Sequence, residues 1–227
     1  MMQWGSNDVR NPKLSEAGLP NVFNISLHRS GTQSTHDLFR RSGVSSIHWP
    51  ANVGGVDYQS RIVGRETDLD FVAEVLDPVF DAYVAVSDAP IPAIYRPLAK
   101  RRPDAFFFAL YRPADGWISS VRRHVGDRAF VPFEQVVYWS YFKSRPTHIS
   151  ELSDADLRGF HKWHYRSITD FFAGSKSFLI RPLDARGLGA VLCEFCGLPP
   201  LPFRQFDYAM GHDLGRQPDE VEPRVTE

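Results

Sequence analysis

The sequence is poor in cysteine, in long apolar runs and in net charge, and each shortage excludes a class of protein. Only two cysteines occur among 227 residues, Cys193 and Cys196, which rules out a disulfide framework and agrees with a reducing compartment. No run of about 18 apolar residues occurs, and the first 20 residues lack the apolar segment that a signal peptide needs. The 26 basic and 27 acidic residues create no global field that favours nucleic acid or a membrane surface. We therefore expect a cytoplasmic protein that binds neither nucleic acid nor membrane.

Apolar residues are plentiful enough for one sizeable core, since 43% of the chain is hydrophobic and 13% is aromatic. We expect a single domain over residues 1–227. Within it, residues 1–20 form an N-terminal extension, residues 126–158 a helical insertion or lid, and residues 211–227 a polar tail. The sequence leaves the oligomeric state open.

Strand and helix patterns alternate along the chain. Short apolar runs predict strands at 22–27, 44–49, 82–87, 105–111 and 177–182. Amphipathic patterns predict helices from Gly31 to about Ser42, from Thr67, near 91–101, over DGWISSVRRHV and FEQVVYWSYF, from Ser153 or Asp154 to Gly174, and up to Gly197. This alternation predicts an α/β fold in which helices cover both faces of a parallel sheet and ligands bind beyond the carboxyl ends of the strands.

The decamer SLHRSGTQST, residues 26–35, lies on the first predicted strand-to-helix turn. Gly31 permits close backbone approach, Arg29 offers a fork of charged donors, and hydroxyls surround them on Thr32, Ser34 and Thr35. Together with the positive end of the following helix, these groups predict an anion site, while an ordinary capped loop is the alternative. The Walker A pattern is absent because no Gly-Lys pair occurs, which disfavours an ATPase or a kinase.

The segment HRSGTQS, residues 28–34, resembles the 5′-phosphosulfate-binding loop of sulfotransferases that use 3′-phosphoadenosine 5′-phosphosulfate (PAPS). The usual form of that loop is Pro-Lys/Arg-Ser/Thr-Gly-Thr-Thr followed by Ser or Trp. His28 and Gln33 depart from it, and the Gln33 amide can replace the lost hydroxyl contact. The resemblance implies that the cosubstrate binds to Arg29, Ser30, Gly31, Thr32, Gln33 and Ser34.

Further blocks carry the same resemblance in the same order over residues 20–206. FFFALYRPADGWISSVRRH is similar to the segment that binds the 3′-phosphate, which implies that role for Arg112 and Ser120. VSDAPIPAIYRPLAK resembles the Asp-x-Pro segment of a bacterial subset, and FLIRPLDARGLGAVLCEFCGLPPLPF resembles the last strand and helix. The Arg-Lys-Gly nucleotide-binding segment of cytosolic animal members is missing. The family implies a P-loop NTPase-like, three-layer α/β/α fold with a central parallel sheet.

The resemblance also implies a reaction: transfer of a sulfuryl group from PAPS to a hydroxyl or amine of a small-molecule or glycan acceptor, leaving adenosine 3′,5′-bisphosphate, without a metal. Arg29 would stabilise the leaving group. Asp88 would be the general base, provided that burial raises its pKa. Alternatively, Asp88 or Ser87 caps the helix entered through Pro90, and the base is His28, His48 or His36.

Two other function classes stay open: a non-catalytic nucleotide- or phospholigand-binding module on the same fold, and a degenerate P-loop kinase. Cys193 and Cys196 lie three residues apart in an apolar helix, which predicts buried core thiols. His161 and His164 share one helical face and are a weak candidate for metal binding. An acceptor pocket and core packing explain the following aromatic residues equally well: Trp49, Tyr58, Trp139, Tyr141 and Phe142.

Overall fold

A parallel sheet lies at the centre of the computed structural model, which describes residues 19–204. The strands are β1 (Val22–Asn24), β2 (Ser46–His48), β3 (Asn52–Val53), β4 (Val56–Asp57), β5 (Ala85–Ser87), β6 (Phe106–Tyr111) and β7 (Phe178–Pro182). Five of them form the main sheet in the order β2-β5-β1-β6-β7, and every neighbouring pair is parallel. The predicted α/β class with a parallel sheet is confirmed.

The helices fall between these strands as the sequence pattern predicts. They are α1 (Thr32–Arg41), α2 (Leu69–Val75), α3 (Asp77–Ala82), α4 (Tyr95–Arg101), α5 (Ala114–Val125), α6 (Pro132–Trp139), α7 (Asp154–Phe171) and α8 (Leu188–Phe195). Asp68 caps α2 by accepting from the Phe71 amide at 3.1 Å, and Ser153 caps α7. The helix predicted from Thr67 is in fact two helices, because Pro78 opens α3 where a continuous helix would need its N–H.

Alternate residues of each strand face opposite layers of helices. On β6, Phe107 and Ala109 pack into a core with α2 to α7, while Phe108 and Leu110 pack into a second core with α1 and α8. The sheet is therefore buried on both faces, which is the predicted three-layer arrangement. Cys193 and Cys196 are free thiols buried in the second core, which agrees with their prediction as core thiols.

Two segments differ from the prediction. The sequence predicts an irregular stretch between the strand at 44–49 and the helix from Thr67, whereas β3 and β4 form a hairpin there around Gly54 and Gly55, whose φ angles are 57° and 77°. The helix expected near 91–101 begins only at Tyr95, after turns that contain Pro90 and Pro92. Most of the N-terminal extension and the whole polar tail lie outside the described residues. Within residues 19–204, no helix is both long and apolar enough to cross a membrane.

Candidate functional site

The candidate site lies where the carboxyl ends of β1, β2 and β5 meet, at one edge of the sheet. Three residues that follow these strands closely, Arg29, Trp49 and Asp88, have positive φ angles of 67°, 61° and 77°. The left-handed conformation costs a residue with a side chain about 1–2 kcal/mol. Such backbone strain is concentrated at functional sites, where the surrounding structure holds it in place.

Gly31 forms the turn into α1 and is the N-terminal boundary of that helix, with a φ of 83°. A Cβ atom here would lie 2.6 Å from Leu183 Cδ1, so both the conformation and the space favour glycine. No side chain in the described part of the chain caps this end of α1. The backbone N–H groups and the helix dipole therefore favour an anion at this turn.

Arg29, Arg112 and Ser120 come together beside this turn. Arg29 Nε donates to Ser120 Oγ at 3.3 Å, and Arg112 Nη1 donates to the Arg29 backbone oxygen at 3.2 Å. Burial lowers the pKa of Arg112, and the charges of Arg29 and Arg123 lower it further. Three guanidinium groups near one another form a local positive field in a protein whose net charge is −1.

Asp88 is buried and contacts the α1 turn at Thr32. Its Oδ1 accepts from the Ala89 amide at 2.8 Å. Its Oδ2 lies 3.1 Å from His48 Nε2 and accepts a long hydrogen bond from Thr32 Oγ1 at 3.5 Å. Burial raises the pKa of Asp88, although the charge of His28 and the hydrogen bond from Ala89 act in the opposite direction.

The alternative that Asp88 or Ser87 caps the next helix is wrong. The residue at the N-terminal boundary of α4 is Ile94, six residues beyond Asp88 in the chain. The Asp88 backbone oxygen instead accepts from the Ile91 amide in a turn at 2.9 Å, and the Ser87 hydroxyl donates to the Thr32 carbonyl at 3.4 Å. The structure thus leaves no capping function for the Asp88 carboxylate.

The hydroxyl groups of the loop differ in their surroundings. Ser30 is fully buried and its Oγ accepts from the Tyr165 hydroxyl at 3.5 Å, while Ser34 is buried and Gln33 half-buried in α1. Thr35, expected to offer a donor to an anion, instead donates to the Thr32 carbonyl at 2.8 Å. Asn24 Nδ2 also donates to Thr35 Oγ1 at 2.8 Å, so Thr35 ties α1 to β1.

Three histidines lie near Asp88, and only one contacts it within the described residues. His28 Nε2 is 3.0 Å from the Tyr138 hydroxyl, and its buried Nδ1 has no hydrogen-bond partner among residues 19–204. His36 Nδ1 is 3.0 Å from Ser46 Oγ. Burial lowers the pKa of His28, and it lowers the pKa values of His36 and His48 to about 3.

His161 and His164 position the strand ends. His161 Nε2 is 2.9 Å from the Arg112 carbonyl, and His164 Nε2 is 2.9 Å from the Ile25 carbonyl. Each is a hydrogen bond from α7 to the chain just beyond β6 or β1. Their spacing on one helical face was the available signal, but the sequence could not identify their partners. Within residues 19–204, no three side chains of the metal-binding types come together.

The aromatic residues predicted to line an acceptor pocket have different surroundings, and Tyr141 and Phe142 pack on each other with ring centroids 4.8 Å apart. Tyr58 is 5% exposed and belongs to the larger core, which favours the packing alternative for that residue. Trp49, which follows His48 in the chain, packs edge-on against Phe133 with ring centroids 5.9 Å apart. Trp139 Nε1 donates to the Pro146 carbonyl at 2.8 Å. The backbone of Trp49 adjoins that of Ser87, the residue before Asp88, because the Trp49 amide donates to the Ser87 carbonyl at 3.1 Å.

Comparison with known protein families matches residues 21–207 to a family described as the sulfotransferase domain. Comparison with curated proteins gives no match. The matched range begins at β1 and includes both the α1 turn and the segment around Arg112 and Ser120.

Proposed function

The chain belongs to the sulfotransferase family, and from this premise we propose that it transfers a sulfuryl group from PAPS to a hydroxyl or amine of a small-molecule or glycan acceptor. The five-stranded parallel sheet with helices on both faces is the P-loop-like fold of this family. The choice of donor, the acceptor class and the roles of single residues are the content of the proposal.

The observation that carries the proposal is the contact between the two predicted phosphate sites. Arg29, in the α1 turn, lies 3.3 Å from Ser120, which belongs with Arg112 to the other site. A nucleotide with phosphates on both its 5′ and its 3′ oxygens needs two adjacent anion sites. Gly31 supports an anion site at the α1 turn, because a side chain at this position would clash with Leu183. In this proposal, Arg112 and Ser120 bind the 3′-phosphate, and the α1 turn binds the 5′ end.

The residues of the chain would divide the chemistry as follows. PAPS supplies the sulfuryl group, which is bonded to the 5′-phosphate that leaves. Asp88 accepts the proton of the acceptor hydroxyl or amine as its oxygen or nitrogen bonds to sulfur. Arg29 and the N–H groups at Gly31 and Thr32 stabilise the charge that develops on the departing phosphate. The raised pKa of Asp88 supports its role, since a base works best when its pKa approaches the working pH.

Calorimetry without magnesium tests the nucleotide choice. Adenosine 3′,5′-bisphosphate should bind much more tightly than ADP or ATP, because only the bisphosphate carries the group that Arg112 and Ser120 recognise. Arg112→Ala should cost about 1.5–3 kcal/mol of bisphosphate binding, the usual value of a hydrogen bond to a charged group, and Ser120→Ala should cost less. Arg166→Ala is the matched control, since that side chain is 78% exposed and lies on α7.

Equal affinity for the bisphosphate and ADP would refute the donor assignment. Tight binding of ATP with magnesium would favour the kinase alternative instead. When the bisphosphate is preferred, a screen of hydroxyl and amine acceptors with sulfur-labelled PAPS decides between a transferase and a module that only binds the nucleotide.

A further inference from the structure

His48 and Asp88 are brought together by the register of the sheet. On the adjacent parallel strands β2 and β5, His48 is paired with Ser87, so that Asp88 follows directly beside the histidine ring. His48 Nε2 lies 3.1 Å from Asp88 Oδ2, and His48 Nδ1 lies 3.3 Å from Ser87 Oγ. Both ring nitrogens of His48 therefore have a partner within hydrogen-bond distance.

The chemistry of these partners fixes the tautomer of His48. Burial lowers the pKa of His48 to about 3, so its ring is neutral near pH 7 and carries one N–H. Asp88 in the ionised form that a base needs can only accept a hydrogen bond. The N–H must then be on Nε2. This leaves Nδ1 as an acceptor 3.3 Å from the Ser87 hydroxyl, whose one proton can point either to Nδ1 or to the Thr32 carbonyl. The free electron pair of His48 faces buried Ser87, which leaves His48 poorly placed to take the acceptor's proton.

We propose that His48 is a positioning residue that donates its Nε2–H to Asp88 and holds that carboxylate ionised beside the α1 turn. This inference rests on the proposed role of Asp88 as general base. The hydrogen bond to Oδ2 fixes one carboxylate oxygen on the side of Thr32, 3.5 Å from its hydroxyl. The other ionisable groups that face the pair are His28 and Arg29 in the loop after β1, His36 on α1, His124 on α5 and Glu134 on α6.

Removal of the donor should make Asp88 harder to ionise. His48→Phe lacks both ring nitrogens. We expect the Asp88 pKa to rise by about 1–2 units, since a hydrogen bond to a charged group is worth about 1.5–3 kcal/mol and one unit is about 1.4 kcal/mol. The acid limb of the transfer rate should move to higher pH by the same amount, while the rate at high pH changes less. His48→Gln keeps an amide donor, so its Asp88 pKa should stay close to the wild-type value.

The test combines ¹³C NMR titration of Asp88 with the pH–rate profile of the same variants. The Asp88 signal is assigned by its loss in Asp88→Asn. Ser46→Ala is the matched control, because Ser46 lies on the same strand but contacts His36. The control should leave the Asp88 pKa unchanged. In addition, ¹⁵N NMR of the wild type should show the Nε2–H tautomer of His48, a measurement that needs no variant.

An Asp88 pKa that is equal in the wild type and His48→Phe overturns the inference. A His48 ring with its proton on Nδ1 overturns it as well, even when His48→Phe does not fold. Failure of the proposed function gives a different pattern: no transfer from PAPS by the wild type, with the Asp88 pKa still dependent on His48. In that case the hydrogen-bonded pair stands, and its role in sulfuryl transfer is refuted.

Discussion

Asp88 is the residue at which chemistry and structure can be separated most cleanly. Asparagine keeps the shape of aspartate, and its oxygen can still accept from the Ala89 amide. Its amide nitrogen cannot accept from His48 and Thr32, so Asp88→Asn should lower the free energy of unfolding by about 1–3 kcal/mol. Transfer should fall about 100-fold or more, since general-base catalysis is commonly worth that much. Affinity for adenosine 3′,5′-bisphosphate, measured by calorimetry, should stay nearly unchanged.

The pH dependence of the same pair of proteins gives a second measurement. A base must lose its proton to act, so the wild-type rate should rise with pH through one ionisation. That ionisation should lie above the ordinary range of aspartate, because burial raises the pKa of Asp88. Asp88→Asn should lose this limb. Normal turnover by the variant would remove Asp88 from the mechanism and turn attention to His28, whose buried Nδ1 has no partner among the described residues.

Arg29 and Arg112 should respond differently to truncation, although they contact each other. Arg29→Ala should lower the turnover rate more than it weakens binding of the bisphosphate, because the proposed role of Arg29 is to stabilise charge that develops during the reaction. Arg112→Ala should mainly weaken binding, since the 3′-phosphate does not change its charge. Single-turnover kinetics and calorimetry on both variants separate the two effects. Equal losses of rate and affinity in Arg29→Ala would make Arg29 an anchor only.

At the scale of elements, the start of α1 depends on a glycine for two separable reasons. Gly31→Ala should destabilise the protein by about 1–2 kcal/mol through the positive φ, with a further cost from the contact to Leu183. Gly174→Ala is the matched control, because Gly174 has a φ of 78° but no atom within 4 Å of its added Cβ. When Leu183→Ala is added to Gly31→Ala, it should remove only the part of the destabilisation that comes from the contact between the new Cβ and Leu183. Denaturant unfolding of the variants measures both terms, and equal costs for the two glycines would show that Leu183 yields freely.

The elements themselves were largely predictable because each is encoded locally. Apolar runs predicted the five strands of the sheet, and the 3.6-residue period predicted α1, α5, α6, α7 and α8. The hairpin at 52–57 was missed because its strands have only two residues each, although the Gly54-Gly55 pair is a hairpin signal. The late start of α4 was also missed, since the turn around Ile91 depends on the Asp88 carbonyl.

At the scale of the whole molecule, the sequence indicated which loops form the candidate site but not how their side chains pair. Parallel strands bring their carboxyl ends to one edge, so the α1 turn, Asp88 and Arg112 were expected to converge. The pairing of His48 with Asp88 depends on strand register, and the contacts of His161 and His164 depend on the packing of α7 over the sheet. Such long-range geometry leaves no local pattern in one sequence.

Buried neutral histidines should make the whole molecule sensitive to acid. Burial lowers the pKa values of His36 and His48 to about 3 and that of His164 to about 4, from 6.5. Below pH 6.5 the unfolded chain therefore binds more protons than the folded protein, and stability falls as pH falls toward 4. Asp88 has the opposite effect, because its raised pKa lets the folded protein bind up to one proton more than the unfolded chain at that residue.

The net expectation is a loss of about 2–4 kcal/mol in the free energy of unfolding for each unit between pH 6 and pH 5. His164→Gln, in which the glutamine amide can still donate to the Ile25 carbonyl, should reduce this slope by about 1.4 kcal/mol per unit, the value of one proton. Urea unfolding at a series of pH values measures both slopes. Because His164 lies on α7 and is proposed to contact neither nucleotide nor acceptor, its variant isolates the acid response of the fold from that of catalysis. A free energy of unfolding that stays constant from pH 7 to pH 5 would show that these histidines take up protons in the folded protein as readily as in the unfolded chain.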